Sequence, residues 1–170
     1  MKYMERGGFQ GHPMMRLTLW WTLAFMIGLW CTNAAMYFTR MGLTPSSVQG
    51  YYLGSAEEFS APRSAASLLE TTHAHLPVMG VVLLLLTHLF IFAPVSERAK
   101  KSMITAVFAS ALLGEASGWL IRFVSPAFAW LKILSFLGFQ AGLGLLIGLL
   151  AAFLSGGAPH PRTLKFKHDP

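Results

Sequence analysis

The chain has 170 residues, of which 54% are hydrophobic and only 12% are charged, and its formal net charge is +6. A soluble domain usually carries about a quarter charged residues, so this composition excludes an ordinary soluble domain and indicates a bilayer protein. The single cysteine, Cys31, excludes an internal disulfide and a cysteine-rich metal site. Because the basic residues stand mostly in short flanking segments, they favour a topology signal over nucleic-acid binding.

Hydropathy predicts four membrane-spanning helices, each with roughly the 20 mostly apolar residues that a bilayer requires. They cover residues 17–38, 73–93, 102–124 and 127–154. The first apolar stretch is too long for the core of a cleaved signal peptide, so we expect it to be a retained helix. The predicted fold is an all-α integral membrane four-helix bundle, a single membrane domain over residues 1–170.

The basic residues also predict the orientation of the bundle. They cluster before the first span, between the second and third, and after the fourth, which is one side of a four-span chain. Because positively charged loops stay in the cytoplasm, we expect both termini to be cytoplasmic, in a multi-pass protein of the bacterial inner membrane. The three clusters are Lys2, Arg6 and Arg16; Arg98, Lys100 and Lys101; and Arg162, Lys165 and Lys167.

The only sizeable loop, residues 39–72, falls on the opposite, outer side. Tyr51 and Tyr52 within it are expected at the membrane interface. The stretch SAASLLE, residues 64–70, predicts a short helix that lies on the membrane and leads into the second span. Loops of this length are often functional, although a simple cap over the bundle explains it equally well.

Three of the six histidines belong to the second predicted span: His73 and His75 at its outer end, and His88 about 20 Å deeper. Neutral imidazole is a ligand for haem iron, copper and zinc, and ionisable residues inside a membrane are usually functional. At about 100° per residue, His73, Gly80 and His88 lie close to one face, whereas His75 points nearly opposite His73. This face predicts two ligand levels, with a glycine that lets a flat macrocycle or another helix approach.

The stretch HAHLPVMG, residues 73–80, resembles the HAHL-x-x-x-G stretch of haem-binding helices in heme–copper oxidase subunit I relatives. More loosely, the whole chain looks like small four-helix membrane cytochromes of the b type. The resemblance implies that a histidine of this stretch ligates haem b; helix phase favours His73 for this role and depth favours His75. It covers eight residues, and the chain lacks the many helices of that superfamily, so a copper centre and oxygen chemistry are not implied.

The first, third and fourth predicted spans contain no histidine. A second axial ligand for haem would therefore come from a homodimer partner, from another membrane subunit or from a methionine, unless the position stays open. We expect a homodimer or a larger complex to be the more economical solution. The methionines that could ligate iron, each more often a packing residue, are Met26, Met36, Met79 and Met103.

Charged residues in and beside the third span are further candidates. Glu115 is either a proton acceptor near a quinol or haem edge, or a structural carboxylate bonded to a neighbouring helix. Arg122, seven residues on, shares its face about 10 Å away, so water or a partner would have to bridge the two. Arg40, Arg122 and Lys132 would neutralise haem propionates or lipid phosphates, or act as snorkelling anchors at helix ends.

The leading hypothesis is a b-type haem-binding electron-transfer subunit that links a membrane quinone pool to a periplasmic redox protein within a larger complex. Because no second reactive centre is visible, we do not expect an enzyme that acts alone, and no nucleic-acid partner is expected. A cofactor-free accessory or assembly subunit is the alternative, since ridges of small residues in the last two spans suit close helix packing. Copper handling by His73, His75 and Met79 is a third option.

Overall fold

The computed structural model describes residues 12–56 and 59–156. Four of its five helices, α1, α3, α4 and α5, are long and apolar enough to cross a membrane, as hydropathy predicted, and the chain is an all-α, multi-pass membrane protein. Four spans bring both ends of the described chain to the same side. The helices are α1 Pro13–Phe38, α2 Pro45–Leu53, α3 Ala65–Phe90, α4 Glu97–Phe123 and α5 Ala129–Ser155, with a 3-10 turn at Pro126–Phe128 before α5.

Three spans begin earlier than their hydropathy indicates; α1 starts at Pro13 rather than at residue 17. α3 starts at Ala65 rather than at residue 73, so the segment expected to form a separate interfacial helix is the first part of the span itself. α4 starts at Glu97 rather than at residue 102. In α3 and α4 a serine, Ser64 or Ser96, caps the helix by accepting a hydrogen bond from a first-turn N–H. Hydropathy marks the part of a helix that suits lipid, whereas the cap decides where the helix begins.

The predicted outer loop, residues 39–72, contains the short helix α2 as well as the start of α3. Thr44 caps α2 and Pro45 occupies its first position, where the missing N–H costs nothing. Two residues of this helix, Val48 and Tyr52, are buried in the bundle. Tyr52 therefore does not lie at the membrane interface as expected, because α2 folds back against α4 and α5.

The closest helix pair is α4 and α5, where small residues let the backbones approach. A Cβ at Gly138 would lie 2.8 Å from Oγ of Ser110, and one at Gly142 would overlap Val107. These contacts agree with the small-residue spacing of the two helices. α1 packs less completely than the other spans, since Leu23 and Tyr37 are its buried residues.

Candidate functional site

A cavity of about 130 Å³ lies between the spans at the end of the bundle that carries α2. We call it the outer cavity. Its size is similar to the roughly 150 Å³ engineered cavity that accommodates benzene, so it has room for one aromatic ring. All four spans and α2 contribute to its wall. The polar and aromatic residues of the wall are Asn33, Tyr37, Arg40, Tyr51, Tyr52, Thr71, Thr72, His75, Ser110, Glu115, Trp119, Lys132, Ser135, Phe136 and Phe139.

An imidazole–carboxylate pair joins α3 to α4 in this wall. Nδ1 of His75 lies 2.9 Å from Oε1 of Glu115, and the side chains are 48% and 11% exposed. An ionised carboxylate only accepts hydrogen bonds, so beside ionised Glu115 the proton of neutral His75 must reside on Nδ1. This contact fixes one oxygen of Glu115; Oε2 has no hydrogen-bond partner among the described residues. The structure thus pairs Glu115 with a neighbouring helix, and not with Arg122 on its own helix.

Lys132 of α5 turns inward to the outer cavity and does not snorkel away from it. Its Nζ donates to the backbone carbonyl of Gly114, 2.8 Å away, one residue before Glu115. The same ammonium lies 6.0 Å from the ring centroid of Tyr52. A carbonyl and an aromatic face solvate a buried ammonium only in part, so Lys132 is available as a donor to a bound ligand.

Tyr52 of α2 supplies a phenol to the same wall. The residue is 5% exposed, and its hydroxyl has no hydrogen-bond partner in the described part of the chain. Burial, together with the nearby Tyr51 and the carboxylate of Glu115, raises the pKa of the Tyr52 phenol well above its ordinary value. Tyr52 therefore stays protonated and can donate a hydrogen bond at any physiological pH. Gly118 of α4 makes room for the ring, which passes directly over it.

Aromatic rings form the rest of the wall. Tyr37 of α1 and Phe136 of α5 stack with their centroids 3.6 Å apart and their planes 9° apart. Trp119 of α4 is fixed by a hydrogen bond of 3.0 Å from its Nε1 to Oγ1 of Thr72 on α3. Flat, rigid walls of this kind favour a flat ligand.

His73, Gly80 and His88 lie elsewhere, on the outward face of α3. All three are exposed, and a Cβ at Gly80 would meet no atom within 4 Å. His88 contacts the ring of Phe92 edge-on, with a centroid distance of 5.7 Å. Within residues 12–56 and 59–156, no three His, Cys, Asp or Glu side chains are grouped so that they could hold a metal ion.

The two arginines expected near the outer surface have separate partners. Nη1 of Arg40 lies 3.4 Å from the hydroxyl of Tyr51, and Nε of Arg122 donates to the backbone carbonyl of Arg63 at 2.8 Å. Arg40 lines the outer cavity, whereas Arg122 does not.

Sequence reasoning missed Tyr52 and Trp119 as cavity residues. It expected Lys132 near the outer face, either to neutralise haem propionates or lipid phosphates or to act as a snorkelling anchor. The available signal was weak: a lysine in the second turn of a very apolar helix also suits a snorkelling anchor. Two adjacent tyrosines in a loop suit an interface. Only the placement of α2 and α5 beside α4 brings these side chains together.

Fold and site together define a multi-pass helical membrane protein with a polar, aromatic-walled cavity inside its spans. Residues 42–160, more than two thirds of the chain, match the model of the family Aq_1264_TM, described as a transmembrane helical domain. The chain belongs to this family. No significant match was found among curated proteins or among solved structures.

Proposed function

We propose that this protein is a subunit of an electron-transfer complex in the bacterial inner membrane, and that its outer cavity binds the headgroup of a membrane quinone. The observation that carries the proposal is the cavity, which combines room for one ring, aromatic walls and ionisable side chains within membrane spans. Quinones are dissolved in the lipid that surrounds such a site. Ionisable residues inside a membrane commonly mark proton or ligand pathways.

Four polar groups of the outer cavity have defined roles in this proposal. Tyr52 and Lys132 donate hydrogen bonds to a quinone oxygen. Glu115 accepts from a quinol hydroxyl through Oε2, while His75 holds the carboxylate through Oε1. Oxidation of a quinol releases two protons and two electrons, so the site needs a proton acceptor in contact with the headgroup. Glu115, which lines the cavity, would accept one of these protons, and Nε2 of neutral His75 would accept the other.

The electrons need an acceptor, and we assign this part to haem b at the boundary with a second chain. His73 and His88, exposed at two levels of α3, would each offer an imidazole to a haem iron, and the open space at Gly80 suits a flat macrocycle. The resemblance of residues 73–80 to haem-binding helices supports this assignment. When bound, haem b would pass single electrons on toward a periplasmic redox protein. His75 is an alternative outer ligand, since its contact with Glu115 leaves Nε2 available, as in many ligating histidines.

The weak burial of α1 supports a larger complex. In the most apolar 18-residue stretch of α1, only 6% of the residues are buried within the single chain, against 44% in the corresponding stretch of the last span. The same observation favours a second candidate function, a cofactor-free accessory or assembly subunit in which α1 packs against a neighbouring protein. A homodimer and a different membrane subunit would both supply such a neighbour.

Binding of a short-chain quinone tests the role of the outer cavity. The protein is purified in detergent, and quenching of tryptophan fluorescence by decylubiquinone gives the Kd. Lys132→Met should raise the Kd for decylubiquinone about tenfold or more, because hydrogen bonds to charged groups are worth about 1.5–3 kcal/mol. Glu115→Gln should do the same to the Kd for decylubiquinol, measured by competition, because the carboxylate accepts from the quinol hydroxyl and not from a quinone carbonyl. Tyr52→Phe, which removes a neutral donor, should raise the Kd for decylubiquinone about fivefold.

A matched pair of histidine variants provides the control. His75→Ala should weaken binding of decylubiquinol, because Glu115 loses the partner that holds it, whereas His88→Ala, the same change on the outward face of α3, should leave the Kd unchanged. If none of the cavity variants changes the Kd, the quinone site is refuted.

An absorption spectrum of the protein purified with its complex tests the haem assignment separately. A reducible Soret band should be present, and His73→Ala and His88→Ala should each remove part of it. Without such a band, the haem assignment is refuted and the accessory function becomes the better description. Comparison of His73→Ala with His75→Ala decides which of them is the outer ligand.

A further inference from the structure

A second and more polar cleft opens at the outer surface, with a volume of about 670 Å³. This volume falls in the range of about 300–1,000 Å³ that is common for small-molecule sites. It lies between the end of α1, α2, the following loop and the start of α3, and we call it the arginine cleft. Its lining includes two arginines, Arg40 and Arg63, and the hydroxyls of six serines: Ser46, Ser47, Ser55, Ser60, Ser64 and Ser67.

Both guanidinium groups are held in place by one aromatic side chain. Arg40 reaches the hydroxyl of Tyr51, and Cζ of Arg63 lies 4.3 Å from the centroid of the same ring. The backbone of Arg63 is fixed on both sides: its N–H donates to the carbonyl of Tyr52 at 3.0 Å, and its carbonyl accepts from Arg122 at 2.8 Å. The two guanidinium groups are therefore held in position before a ligand binds, so less side-chain entropy is lost on binding.

Neither arginine pairs with a carboxylate of the described residues, in which the ion pairs are His75–Glu115 and Lys100–Glu97. A planar guanidinium with free N–H groups binds phosphate oxygens in a bidentate manner. Ser64 and Ser67, which line the cleft, also mark the N-terminus of α3, whose helix dipole adds positive potential. Charge, hydroxyl donors and volume all suit the same kind of ligand.

We infer that the arginine cleft binds a phosphate group, supplied either by the headgroup of an anionic phospholipid or by a soluble phosphate compound. A phosphate seated between Arg40 and Arg63 would accept hydrogen bonds from both guanidinium groups, and the serine hydroxyls would surround the rest of the headgroup. This site is separate from the quinone proposal, although Arg40 and Tyr51 line both cavities. Arg63 lines the arginine cleft without lining the outer cavity.

Thermal unfolding of delipidated protein in detergent tests this inference. The probes are dihexanoyl phosphatidylglycerol, dihexanoyl phosphatidylcholine and inorganic phosphate, each titrated while the midpoint temperature is recorded. Phosphatidylglycerol should stabilise the wild type with a lower half-saturating concentration than phosphatidylcholine, whose choline charge opposes the arginines. Stabilisation by inorganic phosphate at similar concentrations identifies a soluble ligand as the source; stabilisation by the lipid alone identifies the headgroup.

The double variant R40Q/R63Q should raise the half-saturating concentration of phosphatidylglycerol at least about tenfold. The control R98Q/K101Q removes the same number of positive charges from the first turns of α4, on the opposite side of the membrane, and should leave it unchanged. Equal half-saturating concentrations for wild type and R40Q/R63Q overturn the inference, as does an equal loss in the control.

Arg63→Lys keeps the test valid if the double variant does not fold. It preserves the charge over Tyr51 but loses the planar fork, so binding should weaken severalfold. An unchanged half-saturating concentration in this variant also overturns the site. Decylubiquinone binding is measured in parallel: retention of quinone binding by Arg63→Lys with loss of lipid binding separates the two cavities.

Discussion

Gly118→Ala tests whether the close contact between α4 and Tyr52 shapes the outer cavity. An alanine Cβ at position 118 would lie 2.9 Å from Cε1, 3.1 Å from the hydroxyl oxygen and 3.2 Å from Cζ of Tyr52. Because non-bonded carbons prefer about 3.5–4.0 Å, the ring would have to shift by about 0.5–1 Å. Tyr52 is only 5% exposed, so the shift must displace its packed neighbours or narrow the outer cavity that the ring lines.

The expected magnitude combines two opposing effects. Overpacking of a filled interior costs about 1–3 kcal/mol, and replacing a helical glycine by alanine returns up to about 1 kcal/mol. We therefore expect the free energy of unfolding to fall by about 1 kcal/mol, which corresponds to about 2–4 °C in midpoint temperature. The Kd for decylubiquinone should rise as well, because the Tyr52 hydroxyl is moved.

Thermal unfolding in detergent, followed by tryptophan fluorescence, measures the first effect. Gly148→Ala is the matched control on α5, since a Cβ there would meet no atom within 4 Å, and its midpoint should stay the same or rise. In a Tyr52→Val background, Gly118→Ala should cost little, because the ring is gone. Equal midpoints for Gly118→Ala and Gly148→Ala would refute the reasoning.

Two further predictions concern stability alone. Both amide atoms of the Gln140 side chain are buried without a partner in the described residues, so Gln140→Met should raise the free energy of unfolding by about 1–2 kcal/mol; a decrease in thermal midpoint would mean that the amide is satisfied. Ser96 caps α4 by accepting from the N–H of Ala99 at 3.3 Å, so Ser96→Ala should cost about 1 kcal/mol and Ser96→Asp should retain the cap. Equal midpoints for the two Ser96 variants would contradict the capping role.

The amino-acid sequence by itself determined the class of fold. Apolar stretches of about 20 residues cross lipid as helices, because a helix satisfies every backbone N–H and C=O within its own segment. The period of the helix likewise fixed which residues of one helix share a face. His73, Gly80 and His88 were placed together on α3, and His75 apart from them, by this local geometry.

Only the tertiary structure decided what those faces meet. Glu115 was expected either to accept protons near a quinol or haem edge or to bond to a neighbouring helix, and the structure supplies the helix partner, His75 of α3, 2.9 Å away. Lys132 and Tyr52 join the same cavity from α5 and α2. The helical period relates residues within one helix, whereas the rotation and depth of one helix against another depend on packing between side chains far apart in sequence. For that reason the spans and their faces followed from the sequence, and the cavity followed from the packing of α2 and α5 against α4.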